Sequence, residues 1–542
     1  MKNIKYIFQI ALCIILFSSC DSFLEPEPRN KYTEMDAWKS VENTYLYVYG
    51  FYKPIYEYGP YGKRYGGVSL NDGFSDILRY STFVMGANGG DVNKTVYNGN
   101  ISPSSNILSA YSYEYERIRR INEFLYGLDT YVKYNETDYR QIKAQALFSR
   151  AYNYFMLVRN HGSVVLRDDI DGPNEAFKAR SSEEECWDFI ERDLDYAAAN
   201  LPEEWPSNRL GLLTKGSVLG FKSRAMLYAK RWDKAVEAAE AVINSGKYAL
   251  LPDYADAFTI PDNKEAVLSF RFHGQVKHAV KFDQLYCPPG DHPAGSSASK
   301  ALAVPTQEMV DMYRMKDGSQ FDWNNPEHAK APYENREPRF YKSILYNGAQ
   351  WKGRTIEAYV GGADGFVEYG SESNAISTTT GYYLRKLLDE GKSNLSEEGT
   401  THWSEVRFAE VLLNHAEALN ELGKVKEALV SLNKVRARAG LPAQEETSKE
   451  DLRNIIRQER TVELAFEGHR YWDLRRWRIA HKVLDGQRMH GMKITKEEDG
   501  SFTYERVDCD KKDRVFEERY YQFPMPSSEI KNNPLCTQFD KW

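Results

Sequence analysis

The sequence predicts a mainly α-helical fold: a scaffold of paired helices interrupted by loop-rich stretches. Three observations carry this expectation. Apolar residues recur at helical spacing through much of the chain, two stretches fit a tetratricopeptide-type helix pair, and three long segments are rich in Gly, Asn, Pro and aromatics.

At the N-terminus, Lys2 and Lys5 precede an apolar run from Tyr6 to Phe17 that only Gln9 breaks, and Ser18, Ser19 and Cys20 follow. This pattern predicts a secretory signal over residues 1–19, too short for a conventional spanning helix. It resembles a bacterial lipoprotein signal in which Cys20 is acylated and becomes the first mature residue. Phe17 holds a place where such signals usually carry Leu, with Leu16 beside it. Residues 20–35, with Pro26, Pro28 and mixed charges, read as anchor and tether. The rest, 36–542, is expected to form one domain, with no later segment apolar enough to cross a membrane.

The helices follow in order. In 116–128, Ile118, Ile121, Leu125 and Leu128 share a face, and in 140–158 Ala144, Leu147, Phe148, Ala151, Phe155 and Val158 do the same. Ser182 and Glu185 form a capping-box pattern, Trp187, Ile190, Leu194 and Ala197 continue at helical spacing, and Pro202 closes the helix. Leu219, Ser223, Met226, Ala235, Ala239 and Val242 occupy the packing positions of one repeat. Leu412, Ala416, Leu419, Ala428, Leu432 and Val435 occupy those of a second, with Gly423 at its turn. The small residues Ser223 and Ala416 let paired helices approach closely. The loop-rich segments lie near 53–106, 272–305 and 317–382, and loops of this length are usually functional or disordered. Their aromatics argue for order.

Composition narrows the function. The 542 residues are 27% charged with a formal net charge of −7, which offers no electrostatic reason to bind nucleic acid. The 38 tyrosines exceed the 25 Phe and 10 Trp combined, and a side chain with an apolar face and a polar tip suits half-exposed binding surfaces. None of the six cysteines forms a C-x-x-C pair, so zinc and redox readings have no support.

The chain resembles the SusD family of nutrient-binding outer-membrane lipoproteins (SusD/RagB type). The resemblance rests on CDSFLEPEP at 20–28, AQALFSRAYNYFMLVRNHGSVVL at 144–166, SSEEECWDFIERDLDYAAANLP at 181–202 and the run at 211–243. It continues through PTQEMVDMYRMKDG at 305–318, RFAEVLLNHAEALNELG at 407–423 and FPMPSSEIKNNPLCTQFDKW at 523–542. ERTVELAFEGHRYWDLRRW at 459–477 is its most specific part. The resemblance implies a SusD-like fold and a surface-exposed lipoprotein of a Gram-negative outer membrane. It also implies a SusC-like TonB-dependent transporter as partner and oligosaccharides as the usual ligands, peptides in some members.

Catalytic patterns are weak. Glu459, Arg460, Glu463, Glu467, Arg470, Asp473 and Arg476 contain the paired carboxylates that glycosidases use. Their spacing of mostly three and four places opposite charges along one helix face, which predicts an ion-pair network linking helices instead, with His469 a structural hydrogen-bonding group. Ser297 and Lys300 make an S-x-x-K match without its companion motifs. Asp169, Asp171 and Gly172 echo part of a calcium loop, but Arg167 and Lys178 stand where acidic ligands belong. No G-x-S-x-G, P-loop or H-E-x-x-H occurs, so neither catalysis nor a cofactor or metal is expected. A surface glycoside hydrolase and a helical scaffold without a small ligand are the competing readings.

Sugars present apolar ring faces and hydroxyl edges, which call for flat aromatics with polar groups nearby. Asp72, Asp76, Arg79 and Tyr80 in the first loop region supply that mixture, Tyr286 lies in the second, and Trp323 and Trp351 lie in the third. These seven are the candidate ligand contacts.

Overall fold

Helices form where the apolar spacing places them. In the computed structural model the principal ones are α1 (Tyr111–Tyr131), α2 (Glu136–His161), α3 (Glu183–Asn200), α4 (Lys215–Tyr228) and α5 (Trp232–Asn244). Later in the chain come α6 (Phe408–Glu421), α7 (Val425–Arg438), α8 (Lys449–Glu463) and α9 (Arg470–Arg476). Residues 34–62, 70–80, 93–170, 177–293, 301–368 and 377–542 are described. Cys20, Asp171, Gly172, Ser297 and Lys300 lie outside them.

Side-chain caps set several helix starts. Asn135, Thr214 and Ser448 each accept a backbone N–H three residues on, which satisfies a donor that the first turn leaves without a partner. Ser182 and Glu185 form the reciprocal capping box that the sequence predicts. Each of these caps contributes about 1 kcal/mol to its helix.

The two repeat-like stretches are helix hairpins, α4 with α5 and α6 with α7, and α5 packs against α6 to join them. Ser223, Ala235, Ala239, Ala416, Ala428 and Leu432 are fully buried, so the small residues do lie where the helices meet. Leu219 differs from expectation and is half-buried. Upstream, α1 packs on α2, α2 on α3 and α3 on α4, so consecutive helices continue the row.

Strands are few and paired in twos. β1 (Leu78–Tyr80) runs antiparallel to β3 (Ala303–Pro305), and β2 (Ala266–Phe270) to β4 (Trp403–Arg407). β5 (His490–Lys496) and β6 (Phe502–Asp508) form a hairpin. All five residues of β4 are buried, and its last, Arg407, leads directly into α6.

The chain divides into two units, Met1–Tyr47 and Val48–Trp542. The described part of the first holds a short helix, Glu34–Ala37, and the start of the helix Val41–Tyr49. The described cysteines Cys186, Cys287, Cys509 and Cys536 are free and buried. No described helix is long and apolar enough to cross a membrane.

Candidate functional site

The charged motif on α8, α9 and their connection is an ion-pair network, but its pairs mostly join distant elements. Arg407, fully buried, bonds Glu463 at 2.6 Å, Glu265 at 2.7 Å and Glu467 at 2.7 Å. Arg339 reaches Glu337, Glu459 and Glu463; Arg436 reaches Glu459; Arg438 reaches Glu265 and Glu463; Lys386 reaches Glu467. These pairs link four arginines and a lysine with five glutamates in one connected cluster. Burial alone would raise the Glu463 carboxyl, but Arg438, Arg407 and Arg339 hold it well below the usual carboxylate range. Burial lowers Lys386 to about 8, although Glu467 works against it.

A second chain of pairs runs from Glu405 and Glu410 through Arg224, then Arg460 and Asp473 to Arg476 and Glu417. Only Asp473 with Arg476 pairs within one helix in this motif; the other pairs join different elements, which is the helix-linking network expected from the sequence. Burial of Glu410 and Asp473 is outweighed by neighbouring arginines, which bring both carboxyls to about 2. His469 lies 4.0 Å from Glu410, and burial lowers it to about 4.

Six of the seven candidate ligand contacts turn inward. Asp72 accepts the backbone N–H groups of Gly468 at 2.7 Å and Arg470 at 3.1 Å, at the start of α9. Its burial raises the carboxyl to about 7 against those two bonds. Asp76 pairs with Arg470 at 2.8 Å, and Arg79 with Asp510 at 2.6 Å. Tyr80 is fully buried and donates to the Leu70 carbonyl; a Cβ on Gly73 would lie 2.2 Å from its ring, so only glycine fits there. Tyr286 is fully buried against Phe282, and Trp351, also buried, donates to Asp291 at 2.7 Å. The sequence reading placed these six at a ligand surface; the structure places their side chains inside the fold. β1 is buried on both faces, and its charged neighbours brace the segment against the C-terminal part of the chain.

Trp323 is different. It is half-exposed and donates Nε1–H to Asp311 at 3.1 Å. Phe321 meets it edge to face with centroids 5.0 Å apart, and His328 stacks on Phe321 at 5.3 Å. Asn325 caps the short helix Pro326–Lys330, which fixes His328 over that ring. His328 also lines a cavity of about 550 Å³ with Asp317, Glu327, Glu334 and Asn335, a ligand-sized hollow. Aromatic rings thus stand beside hydrogen-bonding side chains. Sequence reading missed Phe321, His328, Glu327 and Glu334; the aromatic spacing in FDWNNPEH was the available signal. Among the described residues no cluster of His, Cys, Asp and Glu is arranged to hold a metal ion.

Comparison with known proteins agrees with this architecture. The SusD family model matches residues 264–542, and a second model, described as starch-binding associating with outer membrane, matches 23–227. A SusD-like protein of Formosa agariphila, P38, is 24% identical over 518 residues, covering 89% of this chain and 93% of its own. A SusD-like protein of Bacteroides ovatus is 23% identical, covering 98% and 96%. A solved SusD-like protein of Bacteroides fragilis superposes with a TM-score of 0.80 at 26% identity, over 95% of this chain and all of that one. Another from the same species, a SusD-like carbohydrate-binding protein, gives 0.78 at 25% identity over 92% and 99%. With a family model spanning more than half its length, this chain belongs to the SusD family.

Proposed function

We propose that the protein is a non-catalytic, surface-anchored binder of oligosaccharides that hands its ligand to a SusC-like TonB-dependent transporter in the outer membrane. The observation that carries the binding reading is the cavity where the His328 ring meets the carboxylate and amide side chains of Asp317, Glu327, Glu334 and Asn335, with Phe321 and the half-exposed Trp323 packed in sequence behind His328. The carbohydrate-binding description of a structural relative at 25% identity supports the ligand class, and the starch-binding, outer-membrane description of the matching family supports both ligand and location.

Carboxylate chemistry supports a non-catalytic role. A glycosidase needs one carboxyl kept protonated and a second ionised about 5–10 Å away across the bond it cleaves. The acids of the 459–477 motif are instead held by arginines. Burial raises the carboxyls of Asp72, Asp311, Glu337 and Glu405, but each is engaged: Asp72 is sealed inside on two backbone N–H groups, Glu337 pairs with Arg339, Glu405 with Arg224, and Asp311 accepts from Gln307, Trp323 and Arg506.

Trp323→Ala is expected to weaken oligosaccharide binding on the order of tenfold, from loss of the half-exposed aromatic surface beside the cavity, with the far-ultraviolet dichroism unchanged. Unaltered affinity would move the site elsewhere. The anchor is assigned to Cys20, and Cys20→Ser is expected to shift the protein from the membrane fraction to the soluble one. Continued membrane retention would contradict that assignment.

A further inference from the structure

A second hollow lies beside the C-terminal part of the motif that crosslinks the helices. Where α2 ends, α4 turns into α5 and α9 ends, a cavity of about 370 Å³ is lined by Arg159, Lys230, Arg475, Arg476 and Arg478, with Glu183 as its carboxylate. A neighbouring cavity of about 260 Å³ shares Tyr228, Lys230, Arg476 and Arg478 with it and adds Arg453 and Arg457 beside Glu417 and Glu421. Together they form a cationic groove on a protein whose net charge is −7.

The cations are not all neutralised from within. Arg476 pairs with Glu417 and Asp473, Arg453 with Glu421, and Arg478 with the exposed Glu518. Among the described residues, Lys230, Arg457 and Arg475 have no carboxylate at ion-pair distance. Arg475 donates to the carbonyls of Tyr520 and Tyr521, and the Arg457 Nε–H is buried without a hydrogen-bond partner. Burial is the main cause that lowers the pKa of both guanidinium groups; Arg159 adds to it at Arg475, and at Arg457 Arg453 and Arg476 add to it while Glu417 and Glu421 oppose it.

Aromatic rings hold these groups by their faces. Arg159 lies 3.7 Å from the centroid of Trp472, Arg478 3.9 Å from that of Tyr521, and Arg457 5.0 Å from that of Trp477. A guanidinium stacked on a ring engages its flat face and keeps its N–H edge in the plane available for an oxyanion.

Backbone conformation adds an independent sign. Lys230 and Arg478 adopt φ of 59° and 58°, each just past a helix end, where the next residue's N–H reaches back to close the turn. Glycine favours this position. In the sister hairpin the same turn carries Gly423 at φ 80°. A side chain in this left-handed region is strained, and such strain gathers at ligand sites. Here the chain carries it twice, each time with a cation that lines both cavities.

We propose that this groove binds the anionic groups of an acidic saccharide, carboxylate or sulfate, as a site separate from the hollow beside Trp323. The saccharide class rests on the function proposed above; the charge preference rests on the groove alone.

The test uses the double variant Lys230→Gly/Arg478→Gly. Glycine suits both backbone positions, so its melting temperature is expected to equal or exceed that of the parent. The probes are an oligogalacturonate, a sulfated heparin-derived oligosaccharide and a neutral gluco-oligosaccharide of equal length. The parent is expected to bind at least one acidic probe, more weakly as salt rises, and the double variant to bind it at least about tenfold less well. Neutral binding should be unaffected by the two substitutions. Failure of both acidic probes to bind the parent, or equal binding by parent and variant, would overturn the proposal. If the neutral probe is still retained in that case, the glycan-binding reading survives; if no saccharide of any kind binds, that reading fails as well.

Discussion

Replacing Arg407 by Met is expected to cost about 3–5 kcal/mol of stability, the range for breaking a buried ion pair by removing one partner. Arg407 is the hub of the buried cluster, bonding Glu265, Glu463 and Glu467 and donating to the Glu463 carbonyl as well. Without it those three carboxylates stay in the interior with only Arg339, Arg438 and Lys386 to share, so they must take up protons or draw in water. Because β4 delivers Arg407 and α6 begins at the next residue, the loss also falls where β2, β4 and the second hairpin meet. Arg407→Lys keeps the charge but cannot reproduce the forked bonds to several oxygens, and is expected to lie between the two. Urea unfolding of all three proteins checks this. A Met variant within about 1 kcal/mol of the parent would show that the cluster is not a principal brace.

Acidification is expected to weaken the fold well above the usual carboxylate range. Burial holds His161, His278 and His469 each at about 4, and a nearby cation reinforces this in every case: Arg475, Lys392, and Arg224 with Arg460. Only His469 has carboxylates, Glu410 and Asp473, pulling the other way among its main influences. In the unfolded chain a histidine takes up its proton near pH 6.5. The unfolded state therefore binds more protons between about pH 6.5 and 4, and stability falls as pH drops through that window. Each histidine contributes a loss of about 2 kcal/mol between pH 7 and 5. Asp72 acts in the opposite sense: raised to about 7, its folded form protonates first and regains about 2 kcal/mol over the same interval. For these four groups together the expectation is a loss of about 3–4 kcal/mol, read as a lower urea midpoint at pH 5 than at pH 7. An equal or higher midpoint at pH 5 would contradict it.

The helical frame was legible because it is written locally. Ser182 with Glu185, the apolar spacing of Ile118, Ile121, Leu125 and Leu128, and the small residues at Ser223 and Ala416 each act within a few positions of themselves, and the structure uses all of them that way. The ligand surface was harder to read because exposure is a long-range property. Asp72 and Asp76 have the composition of a sugar contact, yet their partners Gly468 and Arg470 lie almost 400 positions away. Tyr80 disappears beneath the surface for a similar reason, with Gly73 allowing the close approach. The charged motif shows the intermediate case: its spacing suggested one helix face, whereas Glu463 and Glu467 look outward from their own segment to Arg339, Arg407, Arg438 and Lys386. At Trp323 the neighbours are local, and that is where residue type and exposure agree.

The most direct measurement is calorimetric titration of the protein from Asp21 onward, parent and Trp323→Ala side by side, against a library of poly- and oligosaccharides, with reducing ends assayed in each mixture. The account predicts saturable binding of at least one glycan by the parent, weaker binding by the variant and no new reducing ends. Release of sugar by the purified protein, or retention of peptides in place of every glycan, would contradict it.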